Sequence, residues 1–332
     1  MLNLKWETDV TSRLSRRRFG LALAIPALTA PAFMGRSRAH AASPVRIGYQ
    51  KNGSLVILRQ QRRLEALGIP AEWIEFPSGP PMLEALNAGA VDFGATGDTP
   101  PIFAQAAGAD LLYAGGQPVS GRNAAILVRK DAPIHKLGDL RGKRLAFTKG
   151  SSAHNFVVRA LASASLGPGD VQAVQLQPSD AAAAFRQGSI DAWAIWDPFF
   201  AIAQQEPGTR VLTTAENIAP SNSFFLASRN FAERDADRLL TLLGAINEAA
   251  DWADRNPDDL ARIMAEVTGV PLAVQRVAAA RGVYAVQAVD DAIVAQQQAI
   301  ADSFATLRII PRRIDIRAAV WTPPRQIAGA RP

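Results

Sequence analysis

Side chains equipped for catalysis are scarce in this chain of 332 residues: it has no cysteine, and after His40 its only histidines are His135 and His154. Thiol nucleophiles are therefore excluded, and two histidines make no zinc cluster. A serine-histidine-aspartate triad would have to use one of them, without the G-x-S-x-G turn that exposes such a serine. Asp92, Asp98, Asp191 and Asp197 each end an apolar run. They could form a carboxylate pair for acid-base work, but strand ends and helix caps favour aspartate in their own right, and that is the reading we prefer. No phosphate loop or dinucleotide fingerprint occurs, and Gly115-Gly116 alone does not make one. No metal and no cofactor is expected.

What recurs instead is an apolar run followed by glycine and hydroxyl residues at a helix start: Ser78-Gly79, Thr96-Gly97-Asp98-Thr99 and Lys149-Gly150-Ser151-Ser152. The first turn of a helix leaves N–H groups without intrahelical acceptors and carries the positive end of the dipole, so such starts bind anions. Ordinary capping is the alternative. The three starts make an oxyanion pocket only if they face one cleft, and in open α/β sheets the carboxyl ends of the strands do open onto a cleft.

The elements that must position these residues alternate along the chain. Residues 45–49, 72–76, 91–94, 111–114, 124–128, 145–148, 171–176, 190–195 and 224–227 read as strands. Between them, Ser54 is placed to cap a helix, residues 82–87 form another, and Thr99-Pro100-Pro101 predicts a start with a hydroxyl cap and proline in the first turn. Helices are also expected over 151–165, over 180–187 and after Asp197-Pro198. Beyond Ala227 the apolar period becomes 3.6, through Leu239, Leu242, Leu243, Ile246 and Ala250 and again through Ile293, Ile300, Phe304 and Leu307. The pattern is α/β with a helical C-terminal part, and the length suits two domains. No flexible linker is present, so strands passing between two lobes are expected to join them, with crossings at Val128-Arg129 and at 221–225.

Charge narrows the partners. Residues 1–41 hold seven basic and two acidic side chains, leaving 29 basic against 28 acidic in the rest, so the net +6 belongs mainly to the leader. A near-neutral body lacks the basic face that nucleic acid requires. In the leader, Ser15-Arg16-Arg17-Arg18-Phe19 precedes a short apolar run interrupted by Pro26 and Pro31, and Ala39-His40-Ala41 offers a small-x-small cleavage site. This is the pattern of a twin-arginine export signal rather than of a membrane span. Without cysteine there is no lipid anchor. The mature chain, from about Ala42, is expected to be soluble, periplasmic and monomeric.

Several motifs together resemble the aliphatic sulfonate-binding proteins of ABC importers. They are Tyr49-Gln50-Lys51, the stretch Glu75-Phe76-Pro77-Ser78-Gly79-Pro80-Pro81-Met82, the stretch Thr96-Gly97-Asp98-Thr99-Pro100-Pro101-Ile102-Phe103, then Lys149-Gly150-Ser151-Ser152-Ala153-His154-Asn155 and Asp191-Ala192-Trp193-Ala194-Ile195-Trp196-Asp197-Pro198. The resemblance implies a type II periplasmic binding fold: two α/β lobes, residues 42–128 plus 225–322 and residues 129–224, joined by a strand hinge and closing on ligand. It implies an organosulfonate ligand handed to an ABC permease for sulfur acquisition, with no reaction; taurine, sulfate ester or nitrate is the alternative ligand, and a desulfinase-like enzyme the alternative function. A desulfinase would need a cysteine nucleophile, and a transcriptional sensor would need a DNA-binding segment where the leader stands.

Carried over by motif, the resemblance puts Tyr49, Gln50, Gly79, Pro80, Thr96, Asp98 and Thr99 on one wall of the ligand site and Ser151, Ser152, His154, Asn155, Trp196 and Asp197 on the other. Rival readings stay open. Tyr49 could be a core aromatic, and His154 could pack against the opposite lobe. Trp193 and Trp196 fall on opposite faces of one strand, so at most one lines the cleft, and Trp196 stands nearer its end. Asp98 and Asp197 would repel a sulfonate and are expected to cap helices or to meet a cationic amine. Arg62, Arg63 and Glu65 read as a solvated helix face that could equally meet the transporter.

Overall fold

The computed structural model describes residues 43–324. The leader motif and its cleavage site lie outside them. Strands β1 (Val45–Tyr49), β2 (Ala71–Glu75), β3 (Phe93–Thr96), β4 (Leu111–Val119), β5 (Ala124–Arg129), β6 (Arg144–Phe147), β7 (Gln172–Gln175), β8 (Ala192–Trp196), β9 (Thr209–Thr214) and β10 (Ser221–Ser228) form two five-stranded sheets. Their orders are β2-β1-β3-β10-β4 and β7-β6-β8-β5-β9. In both, the fourth strand of the order is antiparallel to its neighbours.

That arrangement moves the crossings. β5 pairs with β8 and β9 in the second sheet, and β10 pairs with β3 and β4 in the first. The chain therefore changes sheets at 120–123 and 215–220, one strand earlier than Val128-Arg129 on the first pass and just before 221–225 on the second. An apolar run such as Ala124 to Val128 specifies a buried strand but not the sheet that receives it. At Gly121, φ is +71° and a Cβ would fall within 2.9 Å of the backbone of Ala215 and Glu216, so the two crossings lie backbone against backbone.

Helices cover both faces of each sheet. On one face of the first, helices Ser54–Gln60 and Ala236–Arg255 bury Leu55, Val56, Ile57, Leu239, Leu242 and Ile246. On the other, helices Gly79–Asn87, Thr99–Ala106 and Asp291–Thr306 bury Met82, Leu86, Ile102, Ile300 and Phe304. The second sheet packs helix Ser152–Ser163 on one side and helices Pro178–Arg186 and Phe199–Gln204 on the other. Ser54 does not cap its helix. Gly53, at φ 75°, holds the capping position, and the Ser54 hydroxyl donates to Gln117 Oε1 at 3.3 Å.

The same ion pair ties the amino ends of both sheets. Arg46 donates from its backbone N–H and its Nε to Asp92 Oδ2, both at 3.0 Å, and Asp92 N–H returns a bond to Arg46 O at 2.8 Å. Arg144 repeats this on Asp191, at 2.8 and 3.1 Å with a return bond of 2.9 Å. Burial alone would raise the Asp92 carboxyl, but the bonds from Arg46 outweigh it and hold it below the usual range. Arg144 holds Asp191 below that range as well. These two aspartates are structural, as preferred for the set.

Candidate ligand-binding site

A cavity of about 200 Å³ lies where the carboxyl ends of the parallel strands of both sheets converge. Of the residues assigned to the site from sequence, Gln50, Gly79, Thr96, Asp98, Ser151, Ser152, Asn155, Trp196 and Asp197 line it. Trp193, on the opposite face of β8 from Trp196, is buried against Phe185 with ring centroids 5.9 Å apart.

Four assigned residues stand off the wall. Tyr49 shares a face of β1 with Val45 and Ile47 and packs into the core edge-on to Trp73, its hydroxyl donating to Glu75 Oε2 at 3.3 Å under the Arg59 guanidinium. Pro80 occupies the first turn of helix Gly79–Asn87, half-buried, where its missing N–H costs nothing. Thr99 is fully buried and donates to Asp98 Oδ1 at 2.9 Å, so its hydroxyl does not cap the helix it begins. His154 lies among Phe147, Phe103 and Phe304, at centroid distances of 4.9, 5.8 and 5.4 Å, and its Nδ1 accepts the Gly150 N–H at 3.3 Å. Burial lowers its pKa to about 4, so it packs across the cleft as a neutral ring.

The three helix starts differ as sources of donors. Gly79 and Thr99 are each followed by two prolines, which remove the N–H groups those turns would offer. What remains at Thr99 is directed to Asp98. Helix Ser152–Ser163 has no proline in its first turn, so the Ser152 and Ala153 N–H groups stay without intrahelical acceptors. Ser151 holds the capping position, but its hydroxyl donates to Thr148 O at 2.7 Å. Ser152 is therefore the serine whose hydroxyl is left for the cavity.

Both halves touch across the cleft. A Cβ on Gly97 would overlap the Ser152 hydroxyl, so this contact exists only because residue 97 is glycine. Asn155 Nδ2 donates to Asp98 Oδ2 at 2.6 Å, and Ser78 Oγ donates to Gln177 Oε1 at 3.0 Å. Asp98 is 1% exposed, and Gln297 Nε2 anchors its carbonyl at 2.6 Å. Burial raises its carboxyl to about 6 against the pull of Thr99 and Asn155. Asp197 is likewise raised to about 6 by burial, against Arg281 and the Ala201 N–H.

Part of the wall comes from segments that carried no local signal. Gln117, Ser120, Asn123 and Asn222 stand at the ends of β4 and β10 or in the first crossing, and Gln275, Gly282 and Tyr284 come from helix Leu272–Ala279 and the loop after it. That loop is held by a two-way backbone bridge between Gly116 and Gln287, both bonds 2.8 Å. Asn222 is the exception within reach of sequence reasoning, since it lies inside the expected crossing at 221–225. Among the described residues, no lysine, arginine or histidine lines the cavity. Among the described residues, no group of three or more acidic, histidine or cysteine side chains could hold a metal, and no helix is long and apolar enough to cross a membrane.

Residues 68–260 match the family described as NMT1/THI5 like. The chain is 41% identical over 283 residues to an aliphatic sulfonates-binding protein of Escherichia coli K12, spanning 84% of this chain and 89% of that one. This chain belongs to the aliphatic sulfonate-binding protein family. Its fold is the periplasmic binding protein fold of that family. The crystal structure of the E. coli periplasmic aliphatic sulphonate binding protein SsuA superposes with a TM-score of 0.78 over 85% of this chain and 94% of that one. The alkanesulfonate-binding protein SsuA of Xanthomonas axonopodis pv. citri, bound to MOPS, is 40% identical with a TM-score of 0.82, over 85% and 99%. More distantly, the taurine-binding periplasmic protein of E. coli is 30% identical over 195 residues, 58% of this chain and 60% of its own length.

Proposed function

We propose that the mature chain is a periplasmic receptor that binds an aliphatic sulfonate in the cavity between its two sheets and delivers it to an ABC permease, with no chemical conversion. The observation that carries this reading is a cavity lined by a helix start whose N–H groups have no intrahelical acceptors, by hydroxyls and amides and by the Trp196 indole, with no cation among the described residues of its wall. A sulfonate is permanently anionic with three acceptor oxygens, so directed donors suffice to hold it. Trp196 supplies an apolar surface for its tail. The relatives named above are binding proteins, and the Xanthomonas ligand MOPS is itself a sulfonate.

In this reading, residues 120–123 and 215–220 are the hinge about which two lobes close. The ligand is enclosed by Gln50, Gly79, Thr96, Asp98, Ser151, Ser152, Asn155, Trp196 and Asp197, those members of the assigned set that line the cavity, with Ser151 shaping the wall and donating nothing to the ligand. Delivery would be by a monomer without lipid anchor, and the arginine motif at 16–17 would direct export by the twin-arginine route. A thermal-shift and calorimetric panel of alkanesulfonates, taurine, sulfate and nitrate on the mature protein tests the function. Alkanesulfonates should raise the melting temperature, by about 2.7 kcal/mol of stabilisation at a hundredfold excess over Kd, and mass spectrometry should recover them unchanged. Indifference to every sulfonate, or protein-dependent release of sulfite, would overturn it.

A further inference from the structure

Two carboxylates face a cavity read as an anion site, and they are handled differently. Asp98 meets no cation among the described residues: its oxygens take the Thr99 hydroxyl and the Asn155 amide. Asp197 meets Arg281, whose Nη1 lies 3.4 Å from each carboxylate oxygen. The two side chains are 9% and 16% exposed, so this pair is shielded from solvent.

Arg281 itself is not on the cavity wall. It lies just past helix Leu272–Ala279 and approaches Asp197 from outside, in a shallow depression shared with Phe200, Gln204 and Arg276. Its guanidinium stacks 4.0 Å from the Phe200 ring centroid and donates to Gln204 Oε1, while Ser120 Oγ donates to its carbonyl at 2.8 Å. Four contacts thus fix a cation behind a wall carboxylate. Asp98 turns its oxygens to the Thr99 and Asn155 donors, but Asp197 without Arg281 would keep only the Ala201 N–H, and a shielded carboxylate so left would repel a sulfonate and attract an ammonium group.

We propose that Arg281 determines ligand preference: by neutralising Asp197 from behind the wall, it favours sulfonates that carry no ammonium group over aminosulfonates. Specificity of this kind rests on an element set against the wrong ligand as much as on contacts to the right one. The proposal rests on the sulfonate-receptor reading. It makes Arg281 a positioning residue that acts through Asp197 and touches no ligand.

Ethanesulfonate and taurine test it, because they share two carbons and a sulfonate and differ by the ammonium. Calorimetric titration of the mature protein should show the wild type preferring ethanesulfonate. Arg281→Gln should move the affinity ratio toward taurine by at least about tenfold, and Arg281→Lys should leave it within about threefold. The ratio is the readout because loss of a cross-cleft contact weakens both ligands alike. Adding Asp197→Asn to Arg281→Gln should abolish the shift. Asp197→Asn alone, which keeps an acceptor for the Ala201 N–H, should move the ratio the other way and serves if Arg281→Gln does not fold. A ratio unmoved by Arg281→Gln and by Asp197→Asn, or a shift that survives the double substitution, overturns the proposal. A wild type that binds neither sulfonate refutes the reading beneath it.

Discussion

Arg46 and Asp92 join the first two central strands of one sheet as Arg144 and Asp191 join those of the other, with the same backbone bonds returned. The strand orders match position for position. At the carboxyl ends the likeness stops. The first half brings a proline-blocked helix start and a carboxylate shared between a hydroxyl and an amide. The second brings a helix start with open N–H groups and a carboxylate backed by an arginine. Repeated chemistry at one end and divergent chemistry at the other show which end is scaffold. They also place the helix start with open N–H groups in the second half, with Gly97 of the first half set against it.

The sharpest way to break that division is at Gly97. A branched side chain there collides with Ser152, so Gly97→Val should hold the halves apart and weaken alkanesulfonate binding by about a hundredfold or more, the scale of losing a buried charge-assisted contact. Circular dichroism should stay that of the wild type, because residue 97 lies beyond the end of β3. Undiminished affinity would mean that the first half does not need to close.

A smaller effect separates the two serines. Ser152→Ala should cost roughly tenfold in affinity with little change in the melting temperature of the ligand-free protein. Ser151→Ala should do the reverse: it loses the bond to Thr148 O, about 1 kcal/mol of stability, and leaves affinity within about threefold. Titrations and melts of both single variants check this, and equal losses of affinity would return Ser151 to the ligand.

The mildest test compares the cleft carboxylates by pH. Asp98 has a folded pKa of about 6 against 3.8 unperturbed, so the folded state retains the proton longer. Its contribution to stability is fully present below about pH 4 and is lost as pH rises through about 6. Linkage of that shift amounts to about 3 kcal/mol at pH 7.5, and Asp98→Asn, which leaves one of the donors on this carboxylate unpaired, should recover about 1 kcal/mol of it there and nothing at pH 4. Asp197 is raised to the same value, yet Asp197→Asn should give no such gain, since it leaves the Arg281 guanidinium without its carboxylate. Melts of both variants across that range decide; parallel gains would show that Arg281 does not hold Asp197.

Much of this was legible in the chain, and the gaps have physical causes. Alternation placed β1 to the residue, and the opposite faces of Trp193 and Trp196 followed from strand periodicity alone. The same parity, applied to Tyr49 with Val45 and Ile47, would have assigned it to the core. β9 was missed because Thr209–Thr214 is a half-buried edge with no apolar face to reveal it. The repeated plan has a faint trace in Leu86-Asn87-Ala88-Gly89-Ala90-Val91-Asp92 and Phe185-Arg186-Gln187-Gly188-Ser189-Ile190-Asp191, where each helix ends at a glycine ahead of the paired aspartate. Helix starts were readable as starts. Which of them keeps its donors depended on prolines already in view at 80–81 and 100–101, and on a Ser151 bond that only the fold reveals. Arg281 gave no signal, because its partners are 77 and 84 residues away.

The exchange of β5 and β10 between the sheets bears on the order in which the molecule can assemble. β10 fills the gap between β3 and β4, yet roughly a hundred residues separate it from β4 along the chain. Until Ser221–Ser228 arrives, the facing edges of β3 and β4 expose unpaired backbone groups. β5, in contrast, emerges before every strand of its own sheet and waits for β8 and β9 to enclose it. The N-terminal half thus cannot mature ahead of the rest of the chain. A fragment ending before residue 221 should remain prone to edge-to-edge association, and cooperative closure of both sheets should be a late event in folding.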